Sequence, residues 1–489
     1  MGADVRDRLW VVYSLFFSVW LAANFSAFSG AWWYADDFLF FDYSRLELLK
    51  GSLHHGRPGF GILLQFLHFE MPPEATVMNR VSRLFQGAMH VGAAVVFYRM
   101  VRPFLSPVGA ALTAVPFLLW GLNGEATLWR AASMYPAAAL LSLGGMHWIV
   151  QGWEIRRWSL ISAGAILCLA AALTNQAAVT AGIMGYLIVV SLRGVSLGFD
   201  PKRMALEVGT VLPFFLVAAV ISALLAQHFG SDRGGFADDW VAKWKFFGEL
   251  TRSFLFFDGI YSPLTRWLHG LLIAGGAIVW AVSIVRRKLD AWGTTAVPLC
   301  LAAGFVVPYL PNLIIADSYP SLRIMYTAPL LMSAVIALTW RMGSTLPGAR
   351  GVLVALVVLL GGSYAILAWE NGREYVALYG RDVESAAAIE ALARDHGTDR
   401  VLVVDLYRMR EPWVDDNPYG FRIVHAGNRY SVFLYHWAAK SFLRWHTDLE
   451  PVSDELVLKY LEFPYDLPRD PPLQWHYIEE DDLVIVAPR

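Results

Sequence analysis

The sequence predicts an α-helical polytopic membrane protein of about eleven transmembrane helices, closed by a small C-terminal α/β extracytoplasmic domain. Three observations predict it. Of 489 residues, 56% are hydrophobic, against roughly 45–50% in a soluble domain. Only 16% are charged, where about 25% is usual, so most of the surface cannot face water. Apolar runs near the bilayer-spanning length of about 20 residues recur from the N-terminus to residue 369.

The predicted spans lie at 9–31, 82–101, 106–124, 131–151, 158–174, 176–192, 205–227, 267–285, 294–312, 325–341 and 351–369. The first follows Arg6 and Arg8 and is longer than a signal-peptide core, so it reads as an uncleaved helix. Thr174-Asn175-Gln176 splits one long apolar stretch and reads as a tight turn at a membrane face. With the N-terminus cytoplasmic, the short loops on that side carry Arg99/Arg102, Arg156/Arg157, Arg193/Lys202/Arg203, Arg286/Arg287/Lys288 and Arg341/Arg350. That is the bias expected of cytoplasmic loops. An odd number of spans then places 370–489 outside, and a bacterial inner (plasma) membrane is the expected location. The domain division is thus 1–369 in the membrane and 370–489 beyond it.

Two longer loops, 32–81 and 228–266, fall on the outer side. Residues 37–50, 58–69 and 240–257 mix aromatic and aliphatic residues with charges, or are too short to span, and read as helices lying on the membrane. Three such segments on one face suit a lipid-linked substrate handled there. After Trp369 an amphipathic helix is expected at 381–396, a buried strand at 401–407 and a closing strand at 481–488.

Composition also excludes. A net charge of -2 leaves no basic footprint for nucleic acid. The two cysteines, Cys168 and Cys300, sit in apolar runs and read as buried inert thiols. No phosphate-cradling loop or nucleophile elbow stands out. The spans carry almost no charge near their centres, where ion-coupled carriers need it. Ionisable residues gather instead at the outer helix ends.

The foremost cluster is Ala35-Asp36-Asp37-Phe38, where the first helix leaves the membrane. A positioned Asp can serve as general base on a hydroxyl. One of the pair could equally cap the helix that follows, and capping explains one carboxylate but not two. Gly56-Arg57-Pro58-Gly59 offers an arginine held by a proline turn, suited to a phosphate. Glu125, Arg130, Arg323 and Tyr326 sit at outer helix ends, where snorkelling to headgroups is the ordinary alternative. His54-His55 lacks a third metal ligand at a diagnostic spacing. No cofactor is indicated, and a lone carboxylate pair serves with a divalent metal or without one.

These residues together resemble the GT-C superfamily of integral membrane glycosyltransferases that use polyprenyl-phosphate-linked sugars. The resemblance rests on ADDF at 35–38 after the first span, GRPG at 56–59, the Glu125 loop, the Asn175-Gln176 turn and Arg323 before the tenth span, and covers about residues 1–369. Many members carry a charged pair where this chain has Asn175-Gln176. The resemblance implies a sugar on a polyprenyl phosphate, presented at the outer leaflet to a glycan, lipid or protein acceptor. It implies Asp36 as general base, Asp37 orienting it or binding sugar, and Arg57, Arg130 and Arg323 on the donor phosphate. Glu125 and Tyr326 would contact substrate, and the anomeric centre would invert. The rivals are a transporter or flippase of lipid-linked saccharides, and a polysaccharide polymerase or ligase.

Overall fold

A computed structural model describes residues 9–30, 44–67, 76–120, 127–128, 132–198, 200–229, 239–256, 261–286, 291–310, 313, 325–403, 436–452, 456, 459–460 and 473–488. The helices are α1 (Leu9–Asn24), α2 (Arg45–His54), α3 (Pro58–Leu67), α4 (Thr76–Val101), α5 (Pro107–Leu119), α6 (Met134–Ile155) and α7 (Trp158–Thr174). They continue with α8 (Thr180–Leu197), α9 (Pro201–His228), α10 (Trp240–Phe256), α11 (Pro263–Val285), α12 (Ala291–Val306), α13 (Pro329–Met342) and α14 (Ala349–Asp395). The C-terminal part adds β1 (Arg400–Val403), α15 (His436–His446), β2 (Glu450–Pro451), β3 (Leu473–Ile478) and β4 (Leu483–Pro488).

Among the described residues, six helices are long and apolar enough to cross a membrane, and four shorter apolar helices, the third of them overlapping α12, accompany them. Each apolar run read from the sequence is occupied by a helix, and the protein is an integral membrane protein. The clearest sign is α9. Over 28 residues only Glu207, Val211, Ala218 and Ala226 are buried, while Leu216 and Leu224 are more than half exposed. Such a surface is stable only against lipid or another apolar surface.

α6 is the opposite case, with thirteen buried residues between Met134 and Gly152 where it packs against α4, α7 and α8. Small residues let the backbones close up. A Cβ added at Gly145 would lie 2.6 Å from the Gly164 carbonyl oxygen, and one at Gly182 would lie 2.7 Å from that of Ser142. Polar groups inside the bundle are tied to one another. His269 Nδ1 donates to the Leu255 carbonyl at 2.9 Å, which leaves Nε2 to accept from the Tyr364 hydroxyl at 2.6 Å.

Three sequence expectations are adjusted. The helix expected at 381–396 is the end of α14, a single helix of 47 residues, so the composition change after Trp369 falls inside a helix. Gly372 within it serves packing. A short 3₁₀ turn at Phe25–Phe28 crosses α14 at Gly372, where an added Cβ would lie 2.6 Å from the Ala27 nitrogen, and Ser26 Oγ donates to the Trp369 carbonyl at 2.6 Å. Gly372→Val is expected to cost about 1–3 kcal/mol through overpacking, read as a lower thermal midpoint of the purified protein in detergent. The turn after Thr174 is also longer than expected. α8 begins at Thr180, and Asn175 Oδ1 accepts from the Ala178 nitrogen at 2.8 Å across the gap. Of the segment expected at 37–50, the described part is helical from Arg45, where Ser44 and Glu47 form a capping box; 37–43 lie outside the described residues.

The C-terminal sheet has the order β2-β1-β4-β3. β1 runs parallel to β2 and β4, and β3 pairs antiparallel with β4. Leu483, Val484, Ile485 and Val486 are fully buried in the central strand, as the sequence pattern of a closing strand requires. In the β3–β4 connection, Asp481 accepts from Lys459 Nζ at 2.5 Å and from the Tyr460 hydroxyl. These two bonds hold its carboxyl below the usual carboxylate range. A group depressed in the folded state adds stability above its unfolded pKa, and that stability is lost as pH falls through the folded value. Acid titration of the full chain, followed by Trp475 fluorescence, should therefore show a transition below the ordinary carboxylate range that Asp481→Asn removes.

Candidate functional site

The GRPG turn is built by its neighbours. α2 ends at His54, whose Nδ1 donates to the Phe229 carbonyl at 2.8 Å beyond α9. Gly56 then takes φ +65°, a left-handed conformation that favours glycine, and a Cβ there would lie 2.5 Å from the Ser222 carbonyl oxygen of α9. Pro58 opens α3, where its missing N–H costs nothing. A Cβ at Gly59 would lie 2.6 Å from Thr174 Oγ1 at the end of α7. Gln176 closes the clamp, its Nε2 donating to Ser222 Oγ at 3.0 Å and to the Gly56 carbonyl at 3.4 Å.

The two motifs noted separately in the sequence, GRPG and the Asn175-Gln176 turn, are therefore one structural unit. Gln176 is a brace for the turn that carries Arg57. The half-buried Arg57 places Nη1 3.6 Å from Met134 Sδ at the start of α6.

Tyr326 reaches the same place from the other side. Its ring lies 6.0 Å from that of Tyr135, the residue after Met134, and 5.6 Å from Phe117. His90 Nε2 donates to the Leu118 carbonyl at 3.2 Å, so Nδ1 accepts from the Tyr326 hydroxyl at 2.6 Å. Next in the chain, Thr327 shares a 2.7 Å hydrogen bond with Thr180. Tyr326 is 1% exposed with its hydroxyl committed to His90, so it locks the start of α13 onto α4, α5 and α6.

Thus Arg57 and Tyr326 converge on consecutive residues, Met134 and Tyr135. The other predicted site residues, Asp36, Asp37, Glu125, Arg130 and Arg323, lie outside the described residues. His54 and His55 pack edge to face at 5.1 Å, and among the described residues no three His, Cys, Asp or Glu side chains gather as a metal site.

Sequence reasoning passed over Gln86 and Ser133 at this end of the bundle and gave Asn175 only a place in a turn. Gln86 on α4 is fully buried with neither amide atom hydrogen-bonded, and the buried Asn175 Nδ2 and Ser133 Oγ are likewise without partners. Buried polar atoms are nearly always paired; Gln86 lies one turn from His90, Ser133 precedes Met134 and Asn175 precedes Gln176, so the three orphans fall at the same end of the bundle as Arg57 and Tyr326. A neutral amide inside an apolar run was the available signal.

Comparison of the sequence with protein-family models and with curated proteins finds no match in either.

Proposed function

We propose that the protein is a membrane glycosyltransferase that moves a sugar from a polyprenyl-phosphate donor to an acceptor hydroxyl on the outer face of the membrane. The observation that carries this reading is the built turn at 56–59. It braces an arginine against the start of α6, at the bundle end where α1 finishes, and Asp36 and Asp37 follow α1 in the sequence. In this proposal the bundle has about eleven spans, the N-terminus is cytoplasmic and the C-terminal domain extracytoplasmic.

The chemistry follows from the leaving group. A polyprenyl phosphate departs readily, so the enzyme needs a base on the acceptor and positive charge on the phosphate more than a general acid. Asp36 takes the hydroxyl proton, and Asp37 orients it or holds the sugar. Arg57, Arg130 and Arg323 receive the phosphate charge, and Glu125 binds sugar. The hydroxyl oxygen bonds to the anomeric carbon as the bond to phosphate breaks on the opposite face, inverting the centre. Tyr326 acts by positioning the segment before α13 rather than through its own hydroxyl.

The test is transfer from a panel of polyprenyl-phosphate sugars by the purified chain in liposomes. Arg57→Ala is expected to weaken donor use about tenfold to a hundredfold, the worth of a charge-assisted hydrogen bond of about 1.5–3 kcal/mol. Transfer from no donor, together with movement of lipid-linked saccharide between leaflets, would replace this reading with a flippase.

A further inference from the structure

At the opposite end of the bundle, the last turns of α4, α6, α8 and α13 and the first turn of α9 surround a cavity of about 360 Å³. Arg99, His147, Arg193, Ser196, Arg203 and Arg341 line it, with Glu154 as the one acidic residue in the wall. Arg193 and Arg203 also bond to Glu207 behind it, at 3.2 Å and 3.0 Å. Four guanidinium groups against two carboxylates leave an excess of two positive charges.

Single arginines at helix C-termini have ordinary explanations, in the helix dipole and in the reach to headgroups. Those explanations do not cover the polar atoms inside the wall. His147 is 7% exposed and its Nε2 has no hydrogen-bond partner; Ser196 Oγ and Arg203 Nη2 are buried and equally unpartnered. All three can donate, and Arg203 Nη2 can only donate. Orphaned donors from three helices, meeting in a cavity with surplus positive charge, define the ligand as an anion rich in acceptor oxygens.

We propose that this cavity binds a phosphate group, contributed by an anionic phospholipid headgroup or by a soluble phosphate compound. Arg203 and Arg341 supply charge, Arg99 closes the mouth, and His147 and Ser196 direct hydrogen bonds to the oxygens. At about 30 Å³ per water-sized group, the cavity holds about a dozen such groups, enough for a phosphate with its glycerol ester. Val150, Val189 and Leu197 add an apolar margin, and Leu197 is 80% exposed at the rim, where an acyl chain would lie. The site is independent of the proposed transferase chemistry at the other end.

Thermal unfolding of the purified full chain in a zwitterionic detergent tests this, with phosphatidylglycerol in one arm and inorganic phosphate in the other. Arg99→Gln/Arg341→Gln is the decisive variant, because neither side chain is paired to a buried carboxylate. Arg156→Gln/Arg157→Gln removes the same charge from an exposed neighbouring turn and serves as control. The native chain and the control should be stabilised with half-maximal effect at the same concentration, and the cavity variant should need at least tenfold more ligand. A shift with phosphatidylglycerol alone assigns the headgroup, and a shift with phosphate assigns a soluble ligand. The proposal is overturned if the cavity variant responds like the native chain, or if neither probe shifts the native protein.

Discussion

Asp36→Asn is expected to lower sugar transfer about 10²–10⁴-fold, the usual contribution of a positioned general base. That is about 2.7–5.5 kcal/mol of transition-state stabilisation. Donor binding should be retained, because the carboxylate acts on the acceptor and not on the phosphate. Asp37→Asn should have the smaller effect if it orients its neighbour, and an effect mainly on KM if it holds the sugar. Single-turnover transfer in liposomes with a saturating donor separates these outcomes. Full activity in both variants removes the base assignment and with it the favoured mechanism. Loss of folded protein in either variant would point to helix capping instead, so thermal midpoints belong beside the rates.

The second large effect is structural. Glu207 is fully buried on α9, where it accepts from Arg193 Nη1, from Arg203 Nε and, at 3.0 Å, from the Tyr186 hydroxyl. It is the charged tie between the mostly exposed helix α9 and the rest of the bundle. Glu207→Gln leaves two guanidinium groups facing an amide, and breaking one side of a buried ion pair costs about 3–5 kcal/mol. The lower end applies, because the Arg203 side chain is 28% exposed and water screens part of its charge. Unfolding in a denaturing detergent series should register the loss. Replacing all three charges, as in Arg193→Met/Arg203→Met/Glu207→Leu, should recover much of it, since a packed apolar trio carries no desolvation cost. Equal instability of the triple and the single variants would mean that shape, not charge, holds α9.

Helices were legible wherever the apolar pattern alone decides them. Every apolar run is occupied by a helix, six of them long and apolar enough to cross a membrane among the described residues, α2, α3 and α10 form within the segments 37–50, 58–69 and 240–257, and β1 and β4 overlap the expected strands. Periodicity failed where tertiary packing overrides a local signal. The composition change after Trp369 suggests a boundary, yet α14 runs through it, with Gly372 packed against Ala27. Within the candidate site, Arg57 was legible as a cation in a rigid turn. The bracing of that turn through Gly56 by Gln176 and Ser222 was not, because those residues are 120 and 166 positions from Gly56 and no spacing rule joins them. The orphaned Gln86 and Ser133 escaped for a related reason: a neutral side chain in an apolar run barely disturbs hydropathy, yet costs free energy when left unpaired. His147 and Ser196 escaped at the other end in the same way.

The unbroken course of α14 also sets a relation between angle and height. From Gly372, fixed against the 3₁₀ turn, to Asp395 at the edge of the sheet domain, the helix climbs about 35 Å. Because every residue turns the axis by about 100° and raises it about 1.5 Å, a single insertion in this stretch would swing the sheet to a different compass bearing at almost unchanged altitude. Seven inserted residues would restore nearly the same bearing about 10 Å higher. Bearing and altitude can therefore be varied separately by the number of residues added, and the stalk behaves as a graduated screw.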